Sequence, residues 1–177
     1  MEDFGKLFAK ELTLKKPLTE GSPKYDWFIS ADKIFSCETE GFEDYAKIFG
    51  IEFCVSRFSL FDGAKSSDSA VAARDLKVYM SSGTHCAMIQ GRLAKGIVVS
   101  KITIKKAASI GGKFQTLETK EFSQCVVQTF SIVGDVVSFS FRYSSYSDAY
   151  ASFNEDGTSK GTAATKVDLA KWEVENS

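Results

Sequence analysis

The tightest constraint on the fold comes from residues 136–144. There Val137, Phe139, Phe141 and Tyr143 alternate with Ser138, Ser140, Arg142 and Ser144. Successive side chains of an extended chain point to opposite faces, so this period of two demands a strand with one buried and one wet face. Fifteen phenylalanines and only two prolines suit a chain rich in such strands. Phe packs on a pleated face, and Pro cannot donate to a ladder.

One helix interrupts the β pattern. Residues 84–95 place Cys86, Ile89, Gln90 and Leu93 on one face, and Gly96 is suited to a left-handed stop. Thr84 is the expected N-cap, its hydroxyl meeting the first free amides. Gly91 weakens the helix from within, so packing must hold it. The expected role of Thr84, Cys86, Ile89 and Leu93 is to cap one side of a β-barrel.

Strand patterns fill most of what remains. Residues 25–35 carry aromatic weight, residues 45–58 form a second strand region, and residues 75–80 alternate again. After the helix come a strand at 97–104, a Gly111-Gly112 turn, and separate strands at 114–120 and 124–133. Gly134-Asp135 turns the chain into the 136–143 strand. Asn154-Glu155-Asp156-Gly157 is a further turn, and 167–174 reads as a last strand.

Two stretches stand apart. Residues 1–24 read as an N-terminal extension, with Phe4, Leu7 and Phe8 at helical spacing before Pro17 and Pro23 break it. Residues 62–74 are small and polar with no period. A loop this long inside one domain points to function or disorder. Its first residues, Asp62, Gly63, Ala64, Lys65, Ser66, Ser67 and Asp68, are the expected contact with a neighbouring subunit or ring. Residues 25–177 then form a single domain.

Chemistry-bearing constellations are hard to find. The chain has one histidine, His85, and four cysteines, Cys37, Cys54, Cys86 and Cys125, none in a CxxC. Zinc would want paired ligands at short spacing, so the thiols read as small apolar residues. Glu38 with Glu40, Glu43 with Asp44, and Glu155 with Asp156 lie in turns and read as solvated. Gly111-Gly112-Lys113 lacks the rest of a phosphate loop. Neither catalysis nor a cofactor is expected. A net charge of −1 argues against a dedicated nucleic-acid binder. No secretory signal and no membrane-length apolar run is evident, so the chain is expected to start in the cytosol, without membrane insertion. A pocket lined by Trp27, Trp172 and phenylalanines would make a small-ligand barrel, the main alternative to a structural role.

The ordered series of features resembles the Hcp (haemolysin-coregulated protein) family, the tube proteins of bacterial type VI secretion. Phe28-Ile29-Ser30-Ala31-Asp32-Lys33-Ile34 is similar to the family's opening strand. Tyr45-Ala46-Lys47-Ile48 with Ile51-Glu52-Phe53 is similar to its second, and a long loop, one helix, a glycine and an alternating strand follow in the same order. Val137-Ser138-Phe139-Ser140-Phe141, Asp156-Gly157 and Asp168-Leu169 resemble its later landmarks. Departures are Ser36-Cys37-Glu38 for a Gly-Glu-Ser, and Val167 for a Trp.

The resemblance implies a mainly β fold, an antiparallel β-barrel or two packed sheets with one short helix. It further implies homohexameric rings stacked into a tube, inside a contractile sheath, capped by a VgrG-like spike and seated on baseplate proteins. Secreted effectors would travel with it, and export would need no cleaved signal. A phage-type tail tube protein is the nearest alternative within the same resemblance.

Overall fold

The computed structural model describes residues 25–32, 34–35, 41–58, 70–169 and 173–176. The extension at 1–24, the loop residues Asp62 to Asp68, and Cys37 and Trp172 lie outside them.

Twelve strands and one helix make up the described residues. In chain order they are β1 (Asp26–Ala31), β2 (Ala46–Ile48), β3 (Gly50–Glu52), β4 (Val55–Phe58), β5 (Ala70–Ala73) and β6 (Leu76–Ser81). Helix α1 (His85–Lys95) follows, then β7 (Val99–Ile110), β8 (Lys113–Val133), β9 (Val136–Arg142), β10 (Ser145–Phe153), β11 (Ser159–Asp168) and β12 (Glu173–Asn176). The paired strands are all antiparallel.

Strand β8 organises the sheets. Its first half pairs with β7 on one side and β10 on the other, in the order β12-β11-β10-β8-β7-β1-β2. Its second half pairs with β9, which leads through β6 to β3. The change of sheet comes at Gln124, a non-glycine residue with φ 51, and a bulge between Val127 and Thr129 adds to the bend. The sequence pattern had divided this strand in two; the structure runs it unbroken through a kink.

At the far side the chain passes from β2 to β3 across Phe49, whose N–H donates to Tyr79 O at 2.8 Å. The architecture is therefore two packed sheets sharing a bent strand, and its ladder is not a closed barrel. The expected strand region at 45–58 is three short strands. The expected loop at 62–74 gives way to strand β5, which pairs β4 from Val55↔Ala73 to Phe58↔Ala70. The expected last strand at 167–174 is the end of β11 and, separately, β12.

The core lies between the sheets. Val137, Phe139 and Phe141 of β9 are buried against Leu76, Val78 and Met80 of β6 and against Ile29, Ile102, Ile104 and Phe122 of the facing sheet. A second, smaller apolar cluster sits on the outer side of the first sheet. There Phe28 stacks on Phe42 at 4.2 Å, with Tyr45 and Phe114 edge-on and Lys105 over the Phe42 and Tyr45 rings.

Helix α1 lies on the core through Cys86 and Ile89, which are buried, and Leu93, which is half-buried. Gln90 is exposed, so the apolar face is narrower than its spacing suggested. Thr84 makes no side-chain cap bond. It is already helical in backbone (φ −58, ψ −31), which turns its hydroxyl away from the capping geometry. Instead the Cys86 N–H donates to Gly83 O, and the Gly83 N–H to Cys86 Sγ. The other end behaves as expected. Gly96 is left-handed, its N–H donates to Leu93 O, and the Ile97 N–H donates to Arg92 O.

Two hairpin tips meet at one end of the molecule. The β7–β8 turn at Gly111 packs on the β10–β11 turn at Asp156 and Gly157. A Cβ at Gly111 would stand 2.4 Å from the Asp156 carbonyl carbon and oxygen, at a φ of +58. Backbone cannot yield there as a side chain would. Gly111→Ala is expected to cost roughly 2–3 kcal/mol in chemical denaturation. Gly112→Ala, also at positive φ but facing open space, should cost only about 1 kcal/mol. Equal losses in the two variants would show that the tips are not in contact.

Candidate functional site

The sequence-derived site residues divide. The helix residues Cys86, Ile89 and Leu93 converge on the core, whereas the loop residues Asp62 to Asp68 are outside the described structure. His85 is held to the frame of the fold: Nε2 lies 3.0 Å from Ser81 O, and the ring packs on Phe35. Asp32, from the opening strand, also ties elements together. Its carboxylate accepts from the Ser100 N–H at 3.2 Å and the Ser100 hydroxyl at 3.0 Å, joining the end of β1 to the start of β7.

Among the described residues no group of three or more His, Cys, Asp or Glu could hold a metal. Cys86 and Cys125 are buried and Cys54 is exposed. Burial pushes the Cys125 thiol up to about 12, which leaves it protonated and unreactive.

The chemistry that the structure does bring together was not read from the sequence. Glu118, Lys120 and Phe122 follow one another at the strand period on the core face of β8. Register places Asp148 of β10 directly opposite Lys120, and Tyr150 opposite Glu118. Lys120, Glu118 and Asp148 are 5%, 8% and 9% exposed, which is unusual for charged side chains.

Lys120 Nζ lies 2.6 Å from Glu118 Oε1 and in direct contact with Asp148 Oδ2. The Tyr150 hydroxyl donates to Asp148 Oδ2 at 3.0 Å and accepts from Lys120 Nζ at 3.3 Å. Phe53 covers the ammonium, with its centroid 5.1 Å away, and packs in turn on Phe122 and Tyr146. Asp148 Oδ1 is buried with no hydrogen-bond partner among the described residues.

Burial by itself disfavours the Lys120 ammonium. The hydrogen bonds and charges of Asp148 and Glu118 outweigh it, so the net direction is upward. One cation and two carboxylates leave the cluster with an excess negative charge inside the protein.

The surface carries a different signal. Ile132 and Val133, at the β8–β9 turn, are 50% and 64% exposed. Ile97 and Val98 behind the helix, Met88 on it, and Phe49 between β2 and β3 are also exposed.

No protein-family model matches the chain, and no curated protein does. Solved structures match over most of its length. A structure described as a type six secretion system protein superposes with a TM-score of 0.74 at 13% identity, covering 86% of this chain and all of that one. Hcp1 from Salmonella typhimurium gives 0.68 at 12% identity, covering 85% and 99%. A type VI secretion system effector from Yersinia pestis gives 0.65 at 11%, covering 81% and 99%. At such identities what is shared is the path of the backbone, and the chain is Hcp-like in its fold.

Proposed function

We propose that this chain is a structural subunit of a type VI secretion inner tube, forming hexameric rings that stack and carry effectors during contraction. The observation that carries this reading is the extent of the match: the whole length of solved type VI secretion proteins superposes on residues of this chain. The exposed apolar side chains support it, because Ile132, Val133, Ile97, Val98 and Phe49 would gain cover in a ring. The sheath, spike and baseplate would be its partners, and export would proceed without a cleaved signal.

The test is the assembly state of the purified chain. Light scattering should give a hexamer-sized species, and electron microscopy should show rings with a central hole. A strict monomer at high concentration overturns the reading. Deleting residues 62–68 should leave the circular dichroism spectrum intact while weakening assembly. Unchanged assembly would remove the loop from the interface.

A further inference from the structure

We propose that Lys120 and Asp148 are joined by an intramolecular isopeptide bond, formed by condensation of their side chains with Glu118 as the proton relay. The inference rests on the buried cluster alone and is independent of the tube reading.

Four observations meet at one point. The amine and the carboxyl carbon it would attack are side chains of directly opposed residues on neighbouring strands. Nζ already touches Oδ2 of that carboxylate, so the two groups are held together before reaction. A second carboxylate, Glu118, stands 2.6 Å from the same nitrogen. Phe53 covers the ammonium, and Lys120 and Asp148 are both buried, which limits the water that would solvate the ion pair.

The reaction balances without any further reactant. The ammonium of Lys120 passes one proton to the Asp148 carboxylate, which gives a neutral amine and a neutral acid. Burial lowers the cost of that transfer, although at rest Asp148 and Glu118 hold the nitrogen as the ammonium. The Nζ lone pair attacks Cγ of Asp148. Glu118 takes a proton from the attacking nitrogen and returns it to the departing oxygen. The Nζ–Cγ bond forms, one Cγ–O bond breaks, and one water leaves. Nothing is oxidised or reduced, and the charges of the ammonium and the carboxylate cancel.

The hydrogen bonds assign the two oxygens. Nζ touches Oδ2 and Tyr150 donates to it, so the protons that make water are delivered there and Oδ2 is the oxygen that leaves. Oδ1, the buried oxygen with no partner among the described residues, stays as the amide carbonyl. An orphaned buried carboxylate oxygen is costly in the uncondensed protein, and condensation turns it into an uncharged amide oxygen.

Mass spectrometry of the full-length folded chain decides the matter. The native protein is expected to be lighter than its sequence by one water, and tryptic mapping should recover a branched peptide joining Lys120 to Asp148, with no cleavage after Lys120. Glu118→Gln and Asp148→Ala are each expected to show the full sequence mass. A native chain at full sequence mass overturns the proposal. So does a lost water that maps to a succinimide at Asp62-Gly63 or Asp156-Gly157, or one that persists in Asp148→Ala. The native-chain measurement stands even if a variant does not fold.

Discussion

Phe122→Ala is expected to lower the unfolding free energy by about 3–5 kcal/mol, the range for truncating a fully buried aromatic ring. Phe122 is fully buried and lies just before the bend in β8. Its ring meets Tyr143 at 4.9 Å, Phe53 and Phe141 at 5.7 Å, and Tyr146 at 6.3 Å. Phe141 belongs to β9 in one sheet, and Tyr146 to β10 in the other. The cavity would open where the sheets face each other, and the rings of Phe141 and Tyr146, fixed in the paired strands β9 and β10, cannot collapse into it. Phe49→Ala, at a side chain more than half exposed, serves as the control and should change stability by no more than about 0.5 kcal/mol. Urea denaturation measures both. A loss below about 1 kcal/mol for Phe122→Ala would show that the two sheets do not meet through this ring.

Lys120→Met should destabilise the fold by a similar amount, about 3–5 kcal/mol, for a different reason. Methionine fills much of the lysine volume, so packing is largely kept. What is lost is the cation between Glu118 and Asp148, leaving two carboxylates buried side by side. Replacing one of them with its amide, in the double variant Lys120→Met with Glu118→Gln, removes the repulsion and should recover part of the loss.

In a chain that has not condensed, the Lys120 ion pair is itself pH-dependent. Its raised value means that the cluster's stabilisation is present below the unfolded lysine range and is lost as pH rises through the folded one. Denaturation of both proteins across pH measures this. No recovery in the double variant would mean that the carboxylates are not the cause. Recovery also separates this effect from loss of a covalent bond, which the second substitution does not restore.

The parts of the fold that were legible in the sequence are those where side chains report their own burial. The alternation of Val137, Phe139 and Phe141 gave β9, and the Gly96 stop gave the end of α1. The turns at Gly111-Gly112, Gly134-Asp135 and Gly157 were legible because positive φ selects glycine. Strands β10 and β11 were not. Tyr146-Ser147-Asp148-Ala149 and Gly161-Thr162-Ala163-Ala164 have little apolar contrast, and they are strands because of what they pair with.

The charged cluster was hidden for a sharper reason. Glu118 and Lys120 on a strand read as a wet face, and Asp148 lies far along the chain. Counting outward from the Gly134-Asp135 turn, where Val133 faces Val136, sets Ala149 opposite Lys120. The bulge between Val127 and Thr129 shifts the register by one and brings Asp148 there instead. A one-residue slip reverses every face, so the pair could be found only by seeing the bulge.

The bend at Gln124 has a mechanical consequence. Because β8 is a member of both sheets, a pulling force on either one is carried into the other through covalent backbone. Side-chain friction between layers does not have to bear it. The sheets cannot shear past one another without first stripping β8 from β7, β9 or β10. Amide hydrogen exchange should accordingly find one slow-exchanging unit on both sides of Gln124, opening as a whole.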